Sequence, residues 1–264
     1  MLHYTKLFSC HQKEWLVLLH GLGGKSTLFY KQADYLSQHY NLLFIDLPGH
    51  GDSTGLDVNY YVAADVVPKI TEVLEKLQIS RAHFLTFSLG TIIGNELMYR
   101  AKQYIKTMTL AGPVLKFNRW SSLLIQSAWI FRHFAPYMLF YKTFAYLIMP
   151  KQSHAKSRFY FVQEAAKLGR KEFVKWTYLL KNAKKPYEQL KQSECTIPKF
   201  YLIGKEDHLF IDEAKRAVEN NPYASLQILD DCGHVCVIEK SAESNEAIHQ
   251  FIASNQVYAK VSSL

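Results

Sequence analysis

The sequence predicts an α/β fold: a mostly parallel central sheet with helices on both faces and an inserted helical segment. Three observations carry this. Short apolar runs without turn residues recur along the chain, as buried parallel strands require. Most end in loops rich in Gly, Asp or His, at the strand ends where open α/β sheets hold their ligands. Between Ala111 and Phe200 no clear run appears, and the apolar spacing turns helical, as in Trp120, Leu123 and Leu124, then Ser127, Ile130, Phe131 and Phe134.

The first strand is Trp15 to Leu19, which runs into His20-Gly21-Leu22-Gly23-Gly24, a turn whose backbone amides can approach a ligand closely. A second strand over 42–45 ends in Asp46-Leu47-Pro48-Gly49-His50-Gly51-Asp52-Ser53. A third, over 83–87, meets Ser88, and the spacing predicts a helix over 88–99. A serine at so abrupt a strand-to-helix turn is lifted out of the sheet. The first helical N–H groups then point at its hydroxyl and would meet an oxyanion formed there. A fourth strand covers 108–111. The fifth, 200–203, ends in Gly204-Lys205-Glu206-Asp207, and the sixth, 226–229, leads to Asp230-Asp231-Cys232-Gly233-His234. Serine, acid and histidine follow in that order, each just past a strand end.

These motifs together resemble the α/β-hydrolase superfamily over nearly the whole chain. Four carry the resemblance: His20-Gly21-Leu22-Gly23, the D-x-P-G-H-G-x-S loop from Asp46 to Ser53, the elbow Thr86-Phe87-Ser88-Leu89-Gly90, and Gly204 to Asp207 with Gly233-His234. The resemblance implies Ser88 as nucleophile, His234 as general base and acid, and Asp207 as the carboxylate that orients it. It implies the backbone N–H groups of Leu22 and Leu89 as the oxyanion hole. The division is chemically necessary: a hydroxyl attacks poorly unless an imidazole takes its proton and a carboxylate fixes the imidazole tautomer.

Two positions depart from the pattern. Thr86 replaces the first elbow glycine, and Thr91 stands where many members carry another. Small residues there let helix and strand pack around a strained turn. With threonine, either the elbow opens slightly or its neighbours are smaller. For the acid, an alternative position after the fourth strand is closed, because no Asp or Glu occurs between Glu96 and Glu164. Glu206 is the local competitor but sits one residue nearer the strand. Asp230 and Asp231 suit a strand end and a turn.

Two other signals are weighed and set aside. Gly21 to Thr27 looks like a phosphate-binding loop, but that spacing requires glycine at position 19, which is Leu19. Cys232, His234 and Cys236 invite a metal, yet no matching ligand pair exists elsewhere, so packing around a histidine loop is expected and no metal. His20 and His50 suit structural hydrogen bonding, and His208 either lines the pocket or faces solvent. No cofactor is called for.

At 264 residues the chain can bury one catalytic domain's core. Four cysteines without framework spacing suit a reducing cytoplasm, and no apolar run is long enough for a signal core or a membrane span. The net charge of +8 is unevenly spread. Residues 113–194 hold 15 Lys and Arg against 4 Asp and Glu, with 17 of the 37 aromatic residues. The resemblance implies that this segment is a helical cap over the site. The expected division is therefore a core of 1–112 and 195–264 and a cap of 113–194.

Three readings of the cap compete. Its aromatics form its own core beneath a solvated basic face, or they line an apolar substrate channel, or the basic aromatic face contacts an anionic membrane transiently. In the channel reading Trp129, Phe131 and Phe134, with Tyr137, Phe140 and Phe144, face the substrate. Nucleic acid is not expected, since no binding motif accompanies the basic charge. The expected function is a serine hydrolase cleaving a carboxylic ester or related acyl bond of a small apolar substrate. The alternatives are a C–C bond hydrolase of a dienoic diketo acid, or a ligand sensor that keeps the triad and turns over slowly. An aspartate nucleophile, as in dehalogenases, is disfavoured by Ser88.

Overall fold

The computed structural model describes residues 1–117, 122, 123, 126, 127, 130 and 136–261, the last five by their backbone. Seven strands form one sheet: β1 Tyr4–Leu7, β2 Trp15–Leu19, β3 Asn41–Ile45, β4 Ala82–Phe87, β5 Ile105–Ala111, β6 Lys199–Gly204 and β7 Ala224–Leu229. Their order is β1-β3-β2-β4-β5-β6-β7. Every neighbouring pair is parallel except β1 with β3.

The central strands are apolar on both faces because both faces are covered. Leu16 to Leu19 on β2 are fully buried, as are Phe84 and Leu85 on β4. Each such side chain contributes about 1.5–3 kcal/mol by leaving water. The edges differ: β7 alternates half-buried and exposed residues, and β1 is mostly exposed.

Helices α1 Tyr30–Leu36, α2 Ala63–Lys76 and α3 Leu89–Arg100 connect the first five strands. Between β5 and β6, the described residues contain α4 Tyr137–Ile148, α5 Ala155–Leu168, α6 Arg170–Lys181 and α7 Lys184–Gln192, and no strand. Helices α8 Ile211–Val218, α9 Cys236–Glu239 and α10 Ser241–Val261 complete the chain. On one side α1 packs with α10; elsewhere α2 and α7 pack on α3.

The inserted helices are tied to the loop after β3. Trp176 of α6 is fully buried, packs at a tilt on Tyr61 with ring centroids 4.3 Å apart, and donates Nε1–H to the Pro48 carbonyl at 3.0 Å. Glu172 accepts the Tyr61 hydroxyl at 2.5 Å and pairs with Lys175 at 3.0 Å. Helices α4 and α5 pack against each other.

Candidate active site

Ser88 joins β4 to α3 with φ 51° and ψ −119°, a conformation that costs a non-glycine residue about 1–3 kcal/mol. Three hydrogen bonds hold it. Its N–H donates to Ala111 O at 3.0 Å, and its carbonyl accepts from the Thr91 N–H at 2.8 Å and the Thr91 hydroxyl at 2.6 Å. The same Thr91 oxygen accepts the Val114 N–H at 2.9 Å. The second threonine of the elbow therefore fastens the turn.

The loops after β4, β6 and β7 bring three side chains into one line. Ser88 Oγ lies 2.8 Å from His234 Nε2, and His234 Nδ1 lies 2.6 Å from Asp207 Oδ2. Asp207 and His234 are fully buried and Ser88 nearly so. Glu206 turns away into a separate cluster, where it pairs with Lys151 and lies 2.8 Å from His154 Nε2. Glu206 and Asp207 thus do not compete for His234. Asp230 and Asp231 form the turn after β7, Asp231 with φ 48°.

The glycine turn after β2 faces the serine: a Cβ on Gly21 would lie 2.9 Å from the Ser88 Cβ. Leu22 follows, and its carbonyl accepts the buried Tyr141 hydroxyl of α4 at 2.7 Å. Leu89 is the first residue of α3, so its N–H has no intrahelical partner. His20 and His50 brace the turn. His20 Nε2 accepts the Leu47 N–H at 3.0 Å, and His50 Nε2 accepts the Gly23 N–H at 2.9 Å. Burial pushes both imidazoles below their ordinary range, which keeps those nitrogens free to accept.

The phosphate-loop look-alike is occupied by its own chain, since the Ser26 N–H donates to Asp46 Oδ1 at 2.7 Å. Asp46 also accepts the Asp52 N–H at 3.2 Å and lies 3.1 Å from His3 Nδ1. His3, Asp46 and Asp52 are the grouping of possible ligand atoms among the described residues, and Asp46 already spends both oxygens on these bonds. Cys232 and Cys236 are buried; burial raises both thiols, Cys236 to about 12, so both stay protonated. His208 is exposed.

A cavity of about 640 Å³ opens beside the glycine turn. Gly21, Leu22 and Phe87 form its end nearest Ser88; Leu28, Phe161, Val235 and Ile238 supply apolar wall. His154, Lys25, Lys31 and Lys156 also line it, with the carboxylates of Glu164, Asp231 and Glu239. Of the expected channel residues, Trp129, Phe131 and Phe134 lie outside the described residues. Tyr137 instead donates to Ala166 O at 3.1 Å and packs on Phe173, and Phe144 packs on the core. Tyr137, Phe140 and Phe144 are not among the residues lining this cavity. The wall comes from α5, from Val235 and α9 after His234, and from the short 3₁₀ turn Ser26–Phe29, where the only sequence signal was the false phosphate loop.

A family model described as the alpha/beta hydrolase fold matches residues 14–241. The (E)-2-((N-methylformamido)methylene)succinate hydrolase of Acinetobacter baylyi is 31% identical over 114 residues, which cover 43% of this chain. That match spans 42% of the relative's own length. The "Putative carbamate hydrolase RutD" of the same species is 24% identical over 259 residues, covering 91% of this chain and 94% of that protein. Among solved structures, the esterase EaEST from Exiguobacterium antarcticum superposes with a TM-score of 0.82 at 17% identity. It covers 96% of this chain and 95% of its own, and at that identity it speaks for the fold.

Proposed function

This chain belongs to the α/β hydrolase fold family, and within it we propose a serine hydrolase that cleaves a carboxylic ester or related acyl bond. The observation that supports it is the unbroken line Ser88 Oγ–His234 Nε2 and His234 Nδ1–Asp207 Oδ2, at 2.8 and 2.6 Å. Nδ1–H donates to Asp207, so Nε2 is left to accept the serine proton.

In the proposed reaction Ser88 Oγ attacks the carbonyl carbon as its proton passes to His234 Nε2. The N–H groups of Leu22 and Leu89 donate to the oxyanion, a contribution of about 3–4 kcal/mol per donor in comparable sites. Collapse of the intermediate passes that proton to the leaving alcohol and leaves an acyl-serine. Water then attacks with His234 as base, and the acid departs. The apolar wall of Leu28, Phe161, Val235 and Ile238 suits an apolar acyl or alcohol part.

A second reading rests on Lys25, Lys31 and Lys156, which line the same cavity. They would suit a carboxylate-bearing substrate, whether an acyl compound or a dienoic diketo acid. The name of the succinate hydrolase relative describes a dicarboxylate of that kind.

The test uses a fluorophosphonate probe and a panel of p-nitrophenyl esters, with a dienoic diketo acid beside them. The wild type should label and hydrolyse esters. Ser88→Ala should lose labelling and about 10⁶ in kcat. Labelling of Ser88→Ala at the wild-type level would overturn the proposal, and preference for the diketo acid would select the second reading.

A further inference from the structure

We propose that the outer face of the α4–α5 pair docks on an anionic lipid surface beside the mouth of the cavity. On α4, Leu139, Lys142, Thr143, Tyr146 and Leu147 are all exposed and recur three or four residues apart, forming one stripe. Tyr141, Ala145 and Ile148 on the other side are buried. On α5, Lys156, Phe159, Tyr160 and Gln163 repeat the arrangement. Leu139 and Tyr146 are each 59% exposed, Phe159 57% and Tyr160 54%. Single exposed apolar side chains are ordinary, but two adjacent helices presenting them together mark an interaction surface.

Charge selects the partner. From residue 97 to residue 163 the chain contains no Asp or Glu, and this stretch includes the whole outer face up to Gln163. Its cations stay, as Lys142 and Lys156 on the stripes themselves. A face that is apolar and cationic, with no carboxylate, fits a surface that offers acyl chains beneath anionic headgroups. The Arg158 guanidinium lies 4.2 Å from the Tyr146 ring centroid and ties the two helices together at this face. Lys156 and Tyr160 belong both to the face and to the cavity lining, so docking would set the cavity mouth against the lipid; Glu164, one turn beyond Tyr160 on the same lining, is paired with Lys167 at 2.5 Å. Among the described residues no helix is long and apolar enough to cross a membrane, so the contact lies on the surface.

Cosedimentation of the full chain with vesicles tests this. Phosphatidylcholine vesicles containing phosphatidylglycerol should pull the protein down at low salt, and pure phosphatidylcholine should not. High salt should release it. Tyr146→Glu and Phe159→Glu should each weaken binding at least about tenfold, and Lys142→Gln about fivefold. Tyr223→Glu, at an exposed aromatic beside β7, should leave binding unchanged. All four side chains are exposed, and circular dichroism checks that each variant folds. No binding of the wild type to the anionic vesicles would overturn the proposal. So would binding that survives both Tyr146→Glu and Phe159→Glu. Self-association abolished by Tyr146→Glu, without vesicle binding, would give the face to a second copy instead.

Discussion

Gly94 faces Thr86: a Cβ on the glycine would lie 3.1 Å from the threonine Oγ1 and 3.2 Å from its Cγ2. The volume that threonine adds at the elbow is therefore taken up by a missing side chain on α3. The hydroxyl is used as well, donating to Thr109 O at 3.0 Å and joining β4 to β5. Of the two sequence expectations, an opened elbow or smaller neighbours, the smaller neighbour describes what is built here.

That pairing predicts a coupled effect. Gly94→Ala should gain helix propensity of about 1 kcal/mol, yet lose more by crowding Thr86 and the Met108 sulfur, for a net destabilisation of about 1–2 kcal/mol. In a Thr86→Ala background the same change should be neutral or stabilising. Urea unfolding of the four proteins measures the cycle. Additive effects would mean the two residues do not share the space.

The acid is tested by two neighbouring substitutions. Asp207→Asn should keep the fold and let His234 adopt the wrong tautomer, lowering kcat on the order of 10⁴-fold. Glu206→Gln should lower kcat by less than about tenfold. Its cost should appear in thermal stability, because Glu206 pairs with Lys151 and His154 rather than with His234. Steady-state kinetics beside thermal melts separates the two, and exchanged phenotypes would reassign the carboxylate.

How much of this was legible follows from where the residues sit. Six strands read directly: the five central ones because a strand buried on both faces must be written as an apolar run, and β7 because Leu226, Ile228 and Leu229 still mark its covered side. Strand β1 did not: Tyr4-Thr5-Lys6-Leu7 is an exposed edge, and its antiparallel register with β3 depends on partners far along the chain. Ser88, Asp207 and His234 lie just past strand ends, so the order of loops already placed them on one rim. The cavity wall was hidden for the opposite reason. Leu28, Phe161 and Ile238 come from three separate segments and meet only through packing. Nothing in the sequence linked Glu206 to His154, though it did separate Glu206 from Asp207.

Stability should depend on Glu14 in acid. It accepts from His83 at 2.7 Å and from Lys106, and takes the Gln256 amide at 2.5 Å, joining β4, β5 and α10. The His83 hydrogen bond, with Lys106 beside it, holds its carboxyl far below the usual range. A carboxylate lowered in the fold stabilises fully above its unfolded pKa of about 4.3 and loses this as pH falls toward the lowered value. Glu14→Gln should cost about 1–2 kcal/mol at pH 7, allowing for its one-third exposure. Below about pH 4 its stability should fall less steeply than that of the wild type. Urea midpoints from pH 7 downward give the curves, and parallel curves would clear Glu14 of the role.

The last prediction concerns the depth of the cavity. With Gly21 and Leu22 at the end nearest Ser88 and Leu28, Phe161 and Ile238 along the wall, an acyl chain would lie against carbon for part of its length. Each methylene that leaves water there contributes about 0.8 kcal/mol, so kcat/KM should rise about fourfold per methylene until the wall ends. Leu28 is only partly buried and stands in the short 3₁₀ turn. Leu28→Trp should therefore fill the cavity without disturbing the strand beneath it. Long esters should then lose most of their advantage while acetate esters keep theirs, because Ser88, Asp207 and His234 stand on other loops. The ester panel, run on wild type and Leu28→Trp, decides it. An acyl-length profile that is flat in the wild type, or unmoved by the tryptophan, would show that the chain does not enter this cavity.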